Sequence, residues 1–301
     1  GQRLWRNGGY WQYGIMVDRA FGDYDVRPVI GMAFQASART WVEIGFPKVN
    51  IKYDFSRGLQ TFFVIKPAGG VWREQVEVAG EKKEEMLQFW QEEVGLPFDH
   101  LGKLGGGVHQ LRHFLGDGPE GPILKINHAR DTLEKANPSG YQELLLVREH
   151  QKAPKSLVDP DGNKVTLIPK GYKGITSSGI RIKTADLSAS VKFYGETLNL
   201  PPCNEAGQNA FKCAQTLLIL EEDNSLIPHQ PYQATGFRYL TVQIYSADKE
   251  HAHIIENGGT EGRPPRTLGT TVRYSFVKDP DGNWIELSQR ATLTGSLEPT
   301  L

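Results

Sequence analysis

Apolar residues recur at helical spacing over residues 85–96 and again over 189–200, each time with an aromatic pair at the centre, Phe89-Trp90 and Phe193-Tyr194. Gly95 and Asn199 stand where a helix closes with a left-handed residue. Period-two alternation predicts a strand ahead of each helix, at 75–79 and 180–184, and further strands at 123–127 and 216–220. A third start follows: a strand over 238–244, a helix capped by Asp248 that runs to Glu256 and stops at Asn257-Gly258-Gly259, and a strand over 272–277. The repeating unit is thus strand, helix, several strands. Residues 176–290 hold two such units, and the first half holds one full unit at 72–130 and an abbreviated one at 139–168 without a helix.

A second repeat marks the end of each half. Asp159-Pro160-Asp161-Gly162-Asn163 and Asp279-Pro280-Asp281-Gly282-Asn283 lie 120 residues apart, the length of one compact domain, and each leads into an alternating strand. Proline fixes one φ and glycine or asparagine tolerates a positive one, so both segments are read as turns. Residues 1–70 follow neither repeat. Their aromatic, alternating runs predict extra strands that pack on the first domain or stand as a small β element. The division expected is a β-rich extension (1–70), a first domain (71–172) with an abbreviated second module, and a second domain (176–291), joined near 170–178.

The repeated unit ending in Asp-Pro-Asp-Gly-Asn-Trp-Ile-Glu-Leu (279–287) resembles the vicinal-oxygen-chelate superfamily, which includes glyoxalases, bleomycin-resistance proteins and extradiol dioxygenases. The resemblance is strong over 176–290, weaker over 72–168 and absent over 1–70. It implies an α+β fold in which tandem βαβββ modules form two open-barrel, glyoxalase-like domains, with the N-terminal β segment added. It also implies a cavity where a divalent metal is often held by one residue from the first and one from the last strand of each unit. The last-strand ligand falls on Glu286, but the matching positions at Tyr239, Gly179 and Leu220 carry no metal-binding side chain of the usual kind. In the first half they fall on Gln75, Lys125, Gln142 and Thr166, and Lys125 repels a cation. A His-His-Glu iron site is therefore disfavoured, and no cofactor is certain. Iron, zinc, nickel or manganese is allowed, with Glu286 as the ligand.

Glu286 is the first candidate for chemistry, as a general base on a central strand. Tyr239, Thr241 and Gln243 share one strand face, so Tyr239 and Gln243 are candidates to orient or stabilise an oxyanion and Thr241 to bind substrate. Arg181 with Lys183 could bind an anion, although a solvated face with Ile180 and Ile182 turned to the core is the simpler account. His109 and His113 share a face about 13 Å apart, too far for a common metal. His109, Asn127 and His128 could meet across strands with Gln75 and Gln142 as an acid–base and binding cluster, with His128 catalytic; histidines at strand ends more often cap backbone groups. Gly105-Gly106-Gly107 lacks the Lys-Ser/Thr of a phosphate loop, and no Gly-x-Ser-x-Gly elbow occurs.

Composition narrows the partners. The net charge is -1 with no basic block, which argues against nucleic acid or an anionic membrane surface. No apolar run approaches the roughly 18 residues of a spanning helix. The two cysteines, Cys203 and Cys213, are read as reduced packing residues, and with no basic-then-apolar leader the protein is expected in the cytoplasm. The leading expectation is an isomerase- or lyase-type enzyme acting on a small oxygenated organic molecule, with a homodimer compatible. A metal-free protein that sequesters a drug-like ligand, and a metal-dependent glyoxalase or dioxygenase, stand as the other readings.

Overall fold

The computed structural model describes residues 10–20, 23–37, 40–46, 49–56, 59–65, 74–80, 82–103, 108–116, 121–129, 133, 135–207, 209–295, 297 and 299. At 35, 41, 43, 103 and 293 and among the described residues of 10–29, 45–65 and 74–80 it describes the backbone alone. Two compact units result, one of residues 1–70 with 291–295 and one of 71–290 with 296–301. In the first, β1 (Tyr10–Ala20), β2 (Asp23–Ser37), β3 (Thr40–Phe46), β4 (Val49–Ser56) and β5 (Leu59–Ile65) form one antiparallel meander.

The larger unit contains four modules. The first is β6 (Glu74–Gly80), α1 (Lys83–Gln88), β7 (Phe98–Lys103), β8 (His109–Phe114) and β9 (Ile123–His128). The second has no helix between its strands: β10 (Tyr141–Val147), β11 (Lys155–Val158) and β12 (Lys164–Ile168). The third is β13 (Ser178–Thr184), α2 (Leu187–Lys192), β14 (Ala210–Cys213) and β15 (Thr216–Glu222). The fourth is β16 (Gly236–Gln243), α3 (Ala247–Glu256), β17 (Thr260–Leu268), β18 (Val272–Lys278) and β19 (Trp284–Arg290). No helix among the described residues is long and apolar enough to cross a membrane.

Helices α1 and α2 widen into a π turn at the same place, where Phe89-Trp90 and Phe193-Tyr194 stack edge to face at 5.2 and 5.3 Å. Both then close through positive-φ residues, Gly95 (77°) and Asn199 (52°). Helix α3 is capped differently from the sequence reading. Ser246 accepts the Lys249 N–H at 3.2 Å, while Asp248 binds the Arg273 guanidinium through two contacts of 2.5 and 2.7 Å.

Inside every module the first and last strands are parallel neighbours, which leaves the other edge of each first strand bare. An unpaired edge must be satisfied. Here β6 pairs antiparallel with β16, and β10 with β13. One sheet therefore runs β17-β18-β19-β16-β6-β9-β8-β7 and the other β11-β12-β10-β13-β15-β14. This corrects the expected division into one cup over 71–172 and another over 176–291. The outer two modules build the eight-stranded sheet, and the inner two build the six-stranded one.

The Asp-Pro-Asp-Gly-Asn turns fasten this arrangement. Asp279 Oδ1 accepts the N–H groups of Asp281 and Asn283 at 3.1 and 2.8 Å, and Asp159 Oδ1 does the same at 3.0 and 2.8 Å. Gly162 and Gly282 adopt the positive φ the turn needs, 89° and 79°. Each turn's asparagine then reaches the opposite sheet. Asn163 Oδ1 accepts the N–H of Phe237 at the start of β16 (3.1 Å), and Asn283 Oδ1 accepts that of Gly140 beside β10 (2.7 Å). Residue 140 has no room for a side chain, because a Cβ there would lie 2.7 Å from the Lys183 carbonyl.

Candidate functional site

Helix α3 packs on β17–β19 from the side of Gln289, whose Oε1 accepts the Ala247 N–H at 2.9 Å. Strand alternation puts Trp284, Glu286 and Ser288 on the opposite, helix-free face. Register brings the neighbouring strands to that face: Thr241 pairs with Glu286, Tyr239 with Trp284, and Phe276 with Glu286. The expected sharing of one face by Tyr239, Thr241, Gln243 and Glu286 is thus what the pairing gives.

On this face the side chains form two zones. In the polar zone Lys125 Nζ donates to Thr241 Oγ1 at 3.2 Å, and Thr241 donates to Glu286 Oε2 at 3.0 Å. Lys125 Nζ lies 3.8 Å from the same carboxylate oxygen. Lys125 and Thr241 are buried, whereas the Glu286 side chain keeps 13% exposure and so is the member a ligand can reach. Beside them runs a polar chain: Gln110 Nε2 donates to Asn127 Oδ1 at 3.0 Å, and Asn127 Nδ2 donates to the Tyr239 hydroxyl at 3.4 Å. Arg112, next along β8, is also buried and lies 3.6 Å from Asp99. Gln243 is half-buried two residues beyond Thr241.

The second zone is aromatic. The Tyr232 ring sits 5.0, 5.7 and 6.4 Å from Trp284, Phe276 and Tyr239. Trp284 Nε1 donates to the Gln230 carbonyl at 3.1 Å, which holds the segment carrying Tyr232 over the sheet. Cations cover its outer surface, Lys278 over Trp284 at 4.2 Å and Arg263 over Tyr232 at 4.5 Å. Sequence reasoning missed Tyr232, which lies in no periodic segment, and missed that Lys125 joins Glu286.

The other predicted residues are placed elsewhere. The proposed cluster of His109, Asn127 and His128 does not form: Asn127 is on the cup face with Gln110, and His109 pairs with His128 on the helix side. Period-two alternation separates them, since 127 and 128 are consecutive. Gln142 lies on β10 in the other sheet, where its amide donates to the Ser139 carbonyl. Arg181 is held there between Glu143 (3.0 Å) and Glu221 (2.7 Å), and Lys183 against Asp223 (2.5 Å), with Ile180 and Ile182 buried as the simpler account expects. Gln75 takes the register position opposite Thr241, and Glu77 the one beside Lys125; their side chains lie outside the described residues.

The six-stranded sheet carries a packed apolar cluster on the Gly179 side. Ile175 and Cys203 pack with Leu145, Ile168, Ala210 and Leu217, joined by Tyr172 and Ala206. Gly179 makes way for this filling, since a Cβ there would meet Ile175 at 3.0 Å. Further along that face Arg181 and Lys183 are held in ion pairs with acidic neighbours, whereas the eight-stranded sheet carries the Glu286 chain.

His113 belongs to the helix side of that cup's sheet. Its Nε2 accepts from the Gln91 amide at 3.0 Å, Phe98 stacks on its edge, and burial pushes its imidazole down from 6.5 to about 4. The fold therefore favours the neutral ring. This contribution is complete above pH 6.5 and is lost as pH falls through 4, about 3 kcal/mol in all. Chemical denaturation between pH 7 and 4 should show that loss in the wild type relative to His113→Gln.

A divalent metal does not fit the donors described. No group of three His, Cys, Asp or Glu side chains converges among the described residues. A 2+ ion bound to Glu286 would lie near the Lys125 ammonium, a repulsion of about 8 kcal/mol at 4 Å and an effective dielectric of about 20.

Residues 179–287 match the model of the Glyoxalase/Bleomycin resistance protein/Dioxygenase superfamily. That match supports membership of this superfamily, the vicinal-oxygen-chelate proteins, for the matched segment. Among solved structures, glyoxalase I from Zea mays is similar at 15% identity, over 72% of this chain and 92% of that one, with a TM-score of 0.58. A point mutant of the maize enzyme gives 14% identity, 73% and 94% coverage and 0.58. A provisionally assigned dioxygenase from Bacillus subtilis subsp. subtilis str. 168 gives 10%, 71% and 84%, and 0.52. At such identities the likeness is one of fold. No curated protein sequence matches the chain.

Proposed function

We propose that the eight-stranded cup binds a small oxygenated organic molecule and moves a proton on it, as an isomerase or lyase of this superfamily would. Glu286 takes the proton. It is the exposed end of a hydrogen-bonded chain whose other members are buried, and that observation carries the reading. Tyr239, whose hydroxyl accepts from Asn127, and the amide of Gln243 are the donors for an oxygen that gains charge. Thr241 fixes the carboxylate, and the Tyr232–Phe276–Trp284 wall takes the apolar part of the ligand.

The test is a panel of small hydroxy- and oxo-compounds, first by thermal shift and then by NMR in D2O. A binder that exchanges a carbon-bound proton for deuterium on the protein supports the reading. Tight binding of every hit without exchange or turnover would replace it with the second one, a sequestering protein. The same four-ring cluster under two cations favours that alternative, because it suits a planar ligand whether or not chemistry follows.

A further inference from the structure

We infer that Lys125 is the resident cation of the eight-stranded cup and neutralises Glu286 in place of a divalent metal. Its bearing on turnover rests on the reading of this cup as the working site. In the sheet, β9 lies two strands from β16 and three from β19. At about 4.8 Å per strand, only a long unbranched side chain crosses from β9 to the far carboxylate. Lys125 does so along the floor, with its residue only 2% exposed.

The ammonium does more than fill space. The Thr241 hydroxyl accepts from Lys125, so its own proton is directed to Glu286 Oε2. Cation, hydroxyl and carboxylate thus form one directed chain across three strands. Burying an ammonium is unfavourable for stability unless a partner compensates, and an apolar residue would fill this floor more favourably. The Glu286 carboxylate, 3.8 Å away, is one such partner. A ligand is then read by hydrogen bonds from the polar face, not by chelation of two adjacent oxygens on a metal.

Calorimetric titration of the full chain with zinc, nickel and manganese tests this without any substrate. The wild type is expected to show no binding that depends on Glu286. Lys125→Glu, which sets a second carboxylate beside the first, should bind one cation at least tenfold more tightly than the wild type, and adding Glu286→Gln should remove the gain. Lys125→Gln, neutral and closer in shape, should show a gain of the same sign and covers the case in which the acidic variant does not fold. One equivalent bound by the wild type, lost in Glu286→Gln and unchanged in Lys125→Gln, would overturn the inference; so would folded Lys125 variants that gain nothing. Absence of deuterium exchange, with these titrations as expected, would count against the proton-transfer reading alone.

Discussion

Glu286→Gln should slow deuterium exchange into a bound ligand by a factor on the order of 10²–10⁴, the range general-base catalysis contributes. Affinity should change little. The amide is isosteric, and its oxygen can still accept the Thr241 proton that now reaches the carboxylate at 3.0 Å. What it loses is the basic lone pair and the negative charge opposite Lys125. Rate lost with binding kept is the signature of a group that acts in the transition state. A variant that still exchanges at the wild-type rate would remove Glu286 from the chemistry, whatever it contributes to the fold.

The largest stability effect is expected at Asp279. Its buried carboxylate accepts from the N–H groups of Asp281 and Asn283, from the Asn283 side chain at 2.9 Å and from the Tyr194 hydroxyl at 2.9 Å. Asp279→Ala leaves these donors without their acceptor and should destabilise the larger unit by about 3–5 kcal/mol. It also loosens Asn283, and with it the bond to Gly140 that ties the two sheets. Measured by urea denaturation, a loss under about 1 kcal/mol would mean that the turn does not hold them together.

The same residue gives a pH signature. Burial, ahead of every other influence, pushes the Asp279 carboxyl up from 3.8 to about 6. A raised carboxyl contributes stability that is complete below the unfolded value and is lost as pH rises through the folded one. From pH 6 down to 4 the wild type should therefore gain on Asp279→Ala by about 2 kcal/mol, of about 3 kcal/mol over the whole titration. His113 works in the opposite direction over nearly the same window, so the two contributions oppose each other in the wild type. Single variants separate them.

Much of this was legible in the chain. The aromatic pairs at 89–90 and 193–194, the closing residues Gly95 and Asn199, and the alternating strands all encode local structure, and each module reports itself through such periods. The shared face of Tyr239, Thr241 and Gln243 followed from the same rule. The His109–Asn127–His128 proposal failed on that rule too, because adjacent residues point to opposite faces and only the actual pairing says which face is the cup.

Sequence alone determined the modules, the turns that end them and the resemblance to a fold family, because those features arise between residues close along the chain. It did not determine which modules join. Each first strand carries one bare edge, and any of the other first strands could satisfy its backbone equally well by local pattern. Only tertiary packing, through asparagine bonds such as Asn163 to Phe237 and Asn283 to Gly140, settled that β6 meets β16 and so brought Lys125 within 3.8 Å of Glu286 across 161 residues of sequence.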